Sequence, residues 1–75
     1  MPDNFKNVPR AYKYFREAHS PYGVPKNGGY YKKLMDAINI AKEFLNEKGY
    51  ESKIYRREFN ANDKEIGKKL IMEIK

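Results

Sequence analysis

Two short stretches of the chain concentrate the residue types that bind anions and planar rings. The first is Lys26-Asn27-Gly28-Gly29-Tyr30-Tyr31-Lys32-Lys33, inside the longer run SPYGVPKNGGYYKK. Glycines let a backbone approach a ligand closely, tyrosines stack on bases or sugars, and lysines neutralise phosphate. The expected setting is a helix N-terminus, where unpaired N–H groups and a partial positive charge attract anions. Asn27 or a glycine would cap that helix, and Lys32 and Lys33 would stand in a first turn where helices ordinarily prefer Asp or Glu. The spacing is not that of a nucleotide-binding P-loop, and no strand is expected before it.

The second stretch is Lys53, Tyr55, Arg56 and Arg57, in ESKIYRREF. Its β-branched and aromatic content reads as a strand. Alternation then places Ser52, Ile54, Arg56 and Glu58 on one face and Lys53, Tyr55, Arg57 and Phe59 on the other. With the second face outward, the strand offers an aromatic and basic platform for single-stranded nucleic acid. With it inward, Tyr55 and Phe59 are core and Arg57 snorkels at the rim. The sequence leaves this choice open.

Catalytic chemistry lacks its ingredients. The chain has one histidine, His19, two serines, no threonine and no cysteine. His19 and Ser20 adjoin without a third group to orient the imidazole, and His19 is explained by a helix C-terminal dipole. Asp63 and Glu65 are too few, among lysines, to make a metal site. No catalytic residue, metal or cofactor is expected.

These stretches need elements to hold them. Seventy-five residues make one small domain, one that buries only about 60% of its unfolded surface. In residues 8–20, Val8, Ala11, Tyr12, Phe15 and Ala18 fall on one face of a short helix, with Pro9 in its first turn and Pro21 beyond its end. Arg10, Lys13 and Tyr14, with Glu17, would form its outer side and could extend a basic surface. A long amphipathic helix follows, with Tyr31, Leu34, Ala37, Ile38, Ala41, Phe44 and Leu45 in one stripe. Gly49 should close it in a left-handed conformation, with Tyr50 folding back over Leu45. ESKIYRREF and KKLIMEIK then read as a hairpin around NANDKEIG. A helical tail with an Asn62–Glu65 capping box, carrying Ile66, Leu70 and Ile74, is the rival. It is disfavoured because it leaves the first strand without a ladder partner. The expected fold is α+β: a loose tail over residues 1–7, then two helices, short and long, and a C-terminal β-hairpin packed on the longer helix.

Sixteen Lys and Arg against ten Asp and Glu give a net charge of +6. Such a balance favours polyanions. The leading expectation is a non-enzymatic nucleic-acid-binding protein, for DNA or RNA. The alternative is a protein-interaction module, an inhibitor or adaptor docking on an acidic surface, since Tyr and Arg dominate interface hot spots. A hairpin edge also allows a homodimer as well as a monomer. Neither a signal peptide nor a membrane span is read from the sequence, so a cytoplasmic protein is expected. Abundant Lys, Asn, Ile and Tyr suit an AT-rich genome such as a phage's.

Overall fold

The computed structural model describes residues 8–22 and 25–75, apart from the side chains of Pro25 and Lys26. The tail expected over residues 1–7 lies outside the described residues. The element order is β1 (Tyr14–His19), β2 (Pro25–Tyr31), α1 (Leu34–Lys48), β3 (Glu51–Phe59) and β4 (Glu65–Ile74). The four strands form one antiparallel sheet in the order β2-β1-β3-β4. This corrects the expected fold: one helix lies against a four-stranded sheet, in place of two helices followed by a hairpin.

The short helix expected over residues 8–20 is replaced by a turn, closed by Tyr12 N–H donating to Pro9 O at 3.0 Å, and then by β1. Its apolar residues fit a helical face, but the strand splits them: Ala18 and Phe15 lie on opposite sides of the sheet. What obscured the alternation is Arg16, which takes an inward position with only 2% of its surface exposed. The second correction is β2. Residues 25–31 read as a connector and helix cap because Pro, Asn and Gly are depleted in strands. They are tolerated on an edge strand, with proline as its first residue. Gly29 leaves room for the Tyr31 side chain, since a Cβ there would stand 2.7 Å from the Tyr31 hydroxyl.

The long helix forms as its stripe predicts, starting at Leu34. Lys33 is its N-cap, with extended φ and ψ of −119° and 139° and no side-chain capping bond. Gly49, at φ 70°, ends it, donating to Leu45 O at 3.0 Å. A second backbone bond, Tyr50 N–H donating to Phe44 O at 3.3 Å, completes the left-handed cap. Tyr50 folds back as well, its ring edge-on to Phe44 at 6.5 Å and 77°.

The helix covers one face of the sheet. Ala37, Ala41 and Ile54 are fully buried there, with Tyr31, Leu34, Ile38, Met72 and Ile74 packed around them. Small alanines bring the helix close to the sheet, and Ile54 fills the contact. β3 and β4 pair as the expected hairpin, so residues 65–74 are strand and not helix. The β3–β4 loop is held by Asn60, whose Oδ1 accepts from the N–H groups of Asn62 and Lys64 at 2.9 and 3.1 Å. The ladder between β3 and β4 slips twice, skipping Ile71 and Ile66 of β4.

Candidate nucleic-acid interface

Helix α1 packs on the face that carries Ile54, and no helix among the described residues covers the opposite face of the sheet. Cross-strand register sets Tyr30 of β2 beside Phe15 of β1, Phe15 beside Tyr55 of β3, and Tyr55 beside Leu70 of β4. The result is one row across all four strands. The Phe15 and Tyr30 centroids are 4.9 Å apart at 42°, and those of Phe15 and Tyr55 are 6.1 Å apart at 32°. Gly28 permits this packing, since a Cβ there would meet the Phe15 ring at 3.3 Å. The Lys68 ammonium lies 5.3 Å from the Phe15 ring centre, a cation–π contact.

The choice of face for β3 is thereby decided: Tyr55, Arg57 and Phe59 share the face away from the helix. Arg57 is nevertheless 5% exposed. Residues 8–13 run beside the end of β3, with Arg57 N–H donating to Lys13 O at 2.8 Å. The Arg57 guanidinium donates to the carbonyls of Pro9 (3.0 Å), Tyr12 (2.7 Å) and Val8 (3.2 Å) and to Glu65 Oε1 (3.1 Å). It lies 5.1 Å from the Tyr30 ring centre and 4.8 Å from that of Phe59. An Arg10–Asp63 ion pair ties the same segment to the β3–β4 loop.

The remaining expected residues are dispersed. Arg56 faces the helix side and opens onto a groove at the end of the sheet. Lys53 is exposed and stands in register between Glu17 and Glu73. Asn27 caps no helix; its Oδ1 accepts from Arg16 Nη2 at 2.6 Å. Gly28 and Gly29 accommodate the aromatic rings of Phe15 and Tyr31. Tyr30 and Tyr31 point to opposite faces, and only Tyr30 joins the row. Lys32 and Lys33 precede the helix, whose first turn carries Asp36, so the expected clash of two lysines with the dipole is relieved. Lys32 lies 5.2 Å from the Tyr12 ring centre. The Lys26 side chain lies outside the described residues. His19 is at the end of a strand, with Nε2 2.9 Å from Glu17 Oε1, and not at a helix terminus.

Phe15 and Lys68 belong to this region and were not expected there, whereas Phe59 lies on the face that the alternation of β3 gave it. Phe15 was hidden because it fitted the apolar face of the wrong helix. Lys68 was hidden because only the register with Arg57 brings it to the row.

Burial holds the Tyr30 hydroxyl above the ordinary tyrosine value of 10.0; the Glu65 carboxylate adds to the rise and Arg57 opposes it. The fold therefore favours the neutral phenol. Its contribution to stability is full below about pH 10 and is lost as pH rises through the elevated folded value. Thermal midpoints measured on both sides of that pH should fall less for Tyr30→Phe than for the native chain. An equal fall in both would place the alkaline sensitivity elsewhere.

Comparison with known proteins finds no matching family model, no matching curated protein and no matching solved structure. The class is defined by the architecture alone: a ββαββ domain with an antiparallel sheet, one face under a helix and the other bearing an aromatic row. No helix among the described residues is long and apolar enough to cross a membrane.

Proposed function

We propose that this protein binds single-stranded nucleic acid on the face of its sheet opposite the helix. The observation that carries the reading is the Tyr30–Phe15–Tyr55 row, three adjoining rings with Lys68 beside them. Bases stack on such rings with little regard to sequence, and lysine and arginine side chains meet the phosphates. Bases paired inside a duplex cannot reach a sheet face, so the unpaired strand is the ligand. The net charge of +6 supports encounter with a polyanion. The acidic-protein alternative draws on the same side chains, and no separate observation favours it.

Fluorescence anisotropy with a labelled dT12 strand and with a duplex of equal length tests the proposal. Tyr55→Ala should weaken dT12 binding by about 1–3 kcal/mol, roughly fivefold to more than a hundredfold, while circular dichroism stays native-like. Equal affinity for strand and duplex, or an unaltered Tyr55→Ala protein, would refute it.

A further inference from the structure

The groove at the end of the sheet is lined by Arg10, Lys13, Arg56, Arg57, Glu58, Phe59 and Lys69, with a volume of about 470 Å³. Its charges are not equivalent. Arg10 is paired with Asp63, and Arg57 is committed to Glu65 and three carbonyls. Among the described residues, Lys13, Arg56 and Lys69 make no side-chain hydrogen bond or ion pair, and all three are exposed. One carboxylate, Glu58, shares the groove with them.

The register makes this arrangement costly. Arg56 stands directly opposite Lys69, and the next pair along the same ladder is Arg57 opposite Lys68. Like charges directly opposed across two strands destabilise a sheet. The second pair is compensated, since Glu65 lies 3.1 Å from Arg57 Nε and 3.5 Å from Lys68 Nζ. The first pair has no such partner among the described residues. Lys13 adds a third cation, because its carbonyl accepts from Arg57 N–H and so fixes Lys13 at the groove. An aromatic neighbour completes the site: Phe59 is flanked by the Arg10 and Arg57 guanidinium groups at 5.5 and 4.8 Å.

We infer that this groove is a phosphate-chain site, with Arg56, Lys69 and Lys13 as its free cations. On the reading given under Proposed function, from which the ligand's identity follows, the chain is the backbone of the same single strand. Its bases occupy the aromatic row, and its phosphates pass over the end of β3 into the groove. Arg56 and Lys69 lie on the helix side of the sheet and Lys68 on the open side, so the strand would turn around that end rather than remain on one face. Affinity then divides into two parts: a stacking part at the row and a salt-sensitive part in the groove.

The test uses two probes, inorganic tripolyphosphate and dT12, with amide-resolved NMR titrations. Two double variants are compared: Arg56→Gln/Lys69→Gln, and a control of equal charge, Lys42→Gln/Lys48→Gln, on the helix. Tripolyphosphate should move the amides of Lys13, Arg56, Phe59 and Lys69 saturably, and the groove variant should lose this while the control keeps it. For dT12, the salt slope of the groove variant should fall by about 1.4, from two lost phosphate contacts at about 0.7 each. Equal losses in the two variants would show diffuse charge and overturn the inference. So would an unresponsive groove with dT12 still bound at the row, a result that leaves the stacking proposal standing. Saturable tripolyphosphate binding in the groove, with Phe15, Tyr30 and Tyr55 unmoved by dT12, would uphold the phosphate site and refute the stacking proposal.

Discussion

Arg57→Met should lower the unfolding free energy by about 3 kcal/mol, the low end of the cost of removing one member of a buried charged pair. Arg57 is 5% exposed, and its guanidinium donors meet one carboxylate and three carbonyls. Methionine keeps the volume but removes every donor and leaves Lys68, at 3.5 Å, as the one cation paired with Glu65 among the described residues. The carbonyls of Val8, Pro9 and Tyr12 belong to a segment near solvent and can rehydrate, which keeps the loss near the lower bound. For a chain of this length total stability is about 4–11 kcal/mol, so the loss is a large share of it. A local effect should accompany the global one. Residues 8–13 lose their main tether, so trypsin should cut after Arg10 and Lys13 well before the domain unfolds. Urea denaturation and a proteolysis time course measure the two effects. A change below about 1 kcal/mol with unaltered proteolysis would mean that the segment is held by other contacts.

Arg16→Met should behave in the opposite way, leaving stability unchanged or raising it by up to about 2 kcal/mol. Arg16 is the more deeply buried arginine, at 2% exposed, yet no carboxylate pairs with it among the described residues. Its hydrogen-bond partners are neutral: the Tyr31 hydroxyl at 3.1 Å and Asn27 Oδ1 at 2.6 Å. Nη1 is buried and has no partner among the described residues. What offsets this desolvation is the Phe44 ring, 4.6 Å from the guanidinium carbon, with Tyr31 at 5.8 Å. Such contacts are worth about 2 kcal/mol when desolvated, less than the several that an unpaired buried charge costs. Methionine fits the same space and makes favourable sulfur–aromatic contacts. Asn27 is exposed and Tyr31 half-buried, so both can turn to water. A loss greater than about 1 kcal/mol in thermal or urea unfolding would mean that the rings and neutral acceptors outweigh the desolvation. Set beside Arg57, the variant separates two effects: partners, rather than depth, decide the sign.

These two arginines also explain what could be read from the sequence. Where inward positions are apolar, as along α1 and at Ile54, Met72 and Ile74, periodicity gives the element directly. Where an arginine takes the inward place, as in β1, the alternation disappears and a helical face emerges by coincidence. β2 fails for a different reason. Its Pro, Asn and two glycines carry turn propensity, and the strand forms because Phe15 and Tyr31 pack over the glycines, a tertiary effect. The candidate site was legible in its chemistry and not in its grouping. Tyr30 and Tyr55 were read as stacking residues belonging to separate sites, and only the central placement of β1 brings them together with Phe15 between. Arg56 and Arg57 were read as facing opposite sides of their strand, and what the sequence did not carry is that the first is left without an ion-pair partner among the described residues while the second becomes an internal tether.

The two slips in the β3–β4 ladder bear on how the sheet meets other chains. β4 is an outer strand of ten residues, long enough to template another strand. A further strand laid along it would find its donors and acceptors out of step at Ile66 and again at Ile71. Both residues are exposed, at 66% and 38%. Lateral growth across β4 is thereby frustrated by geometry, although the two exposed isoleucines would by themselves invite aggregation. The irregularity acts as a stop at the margin of the sheet.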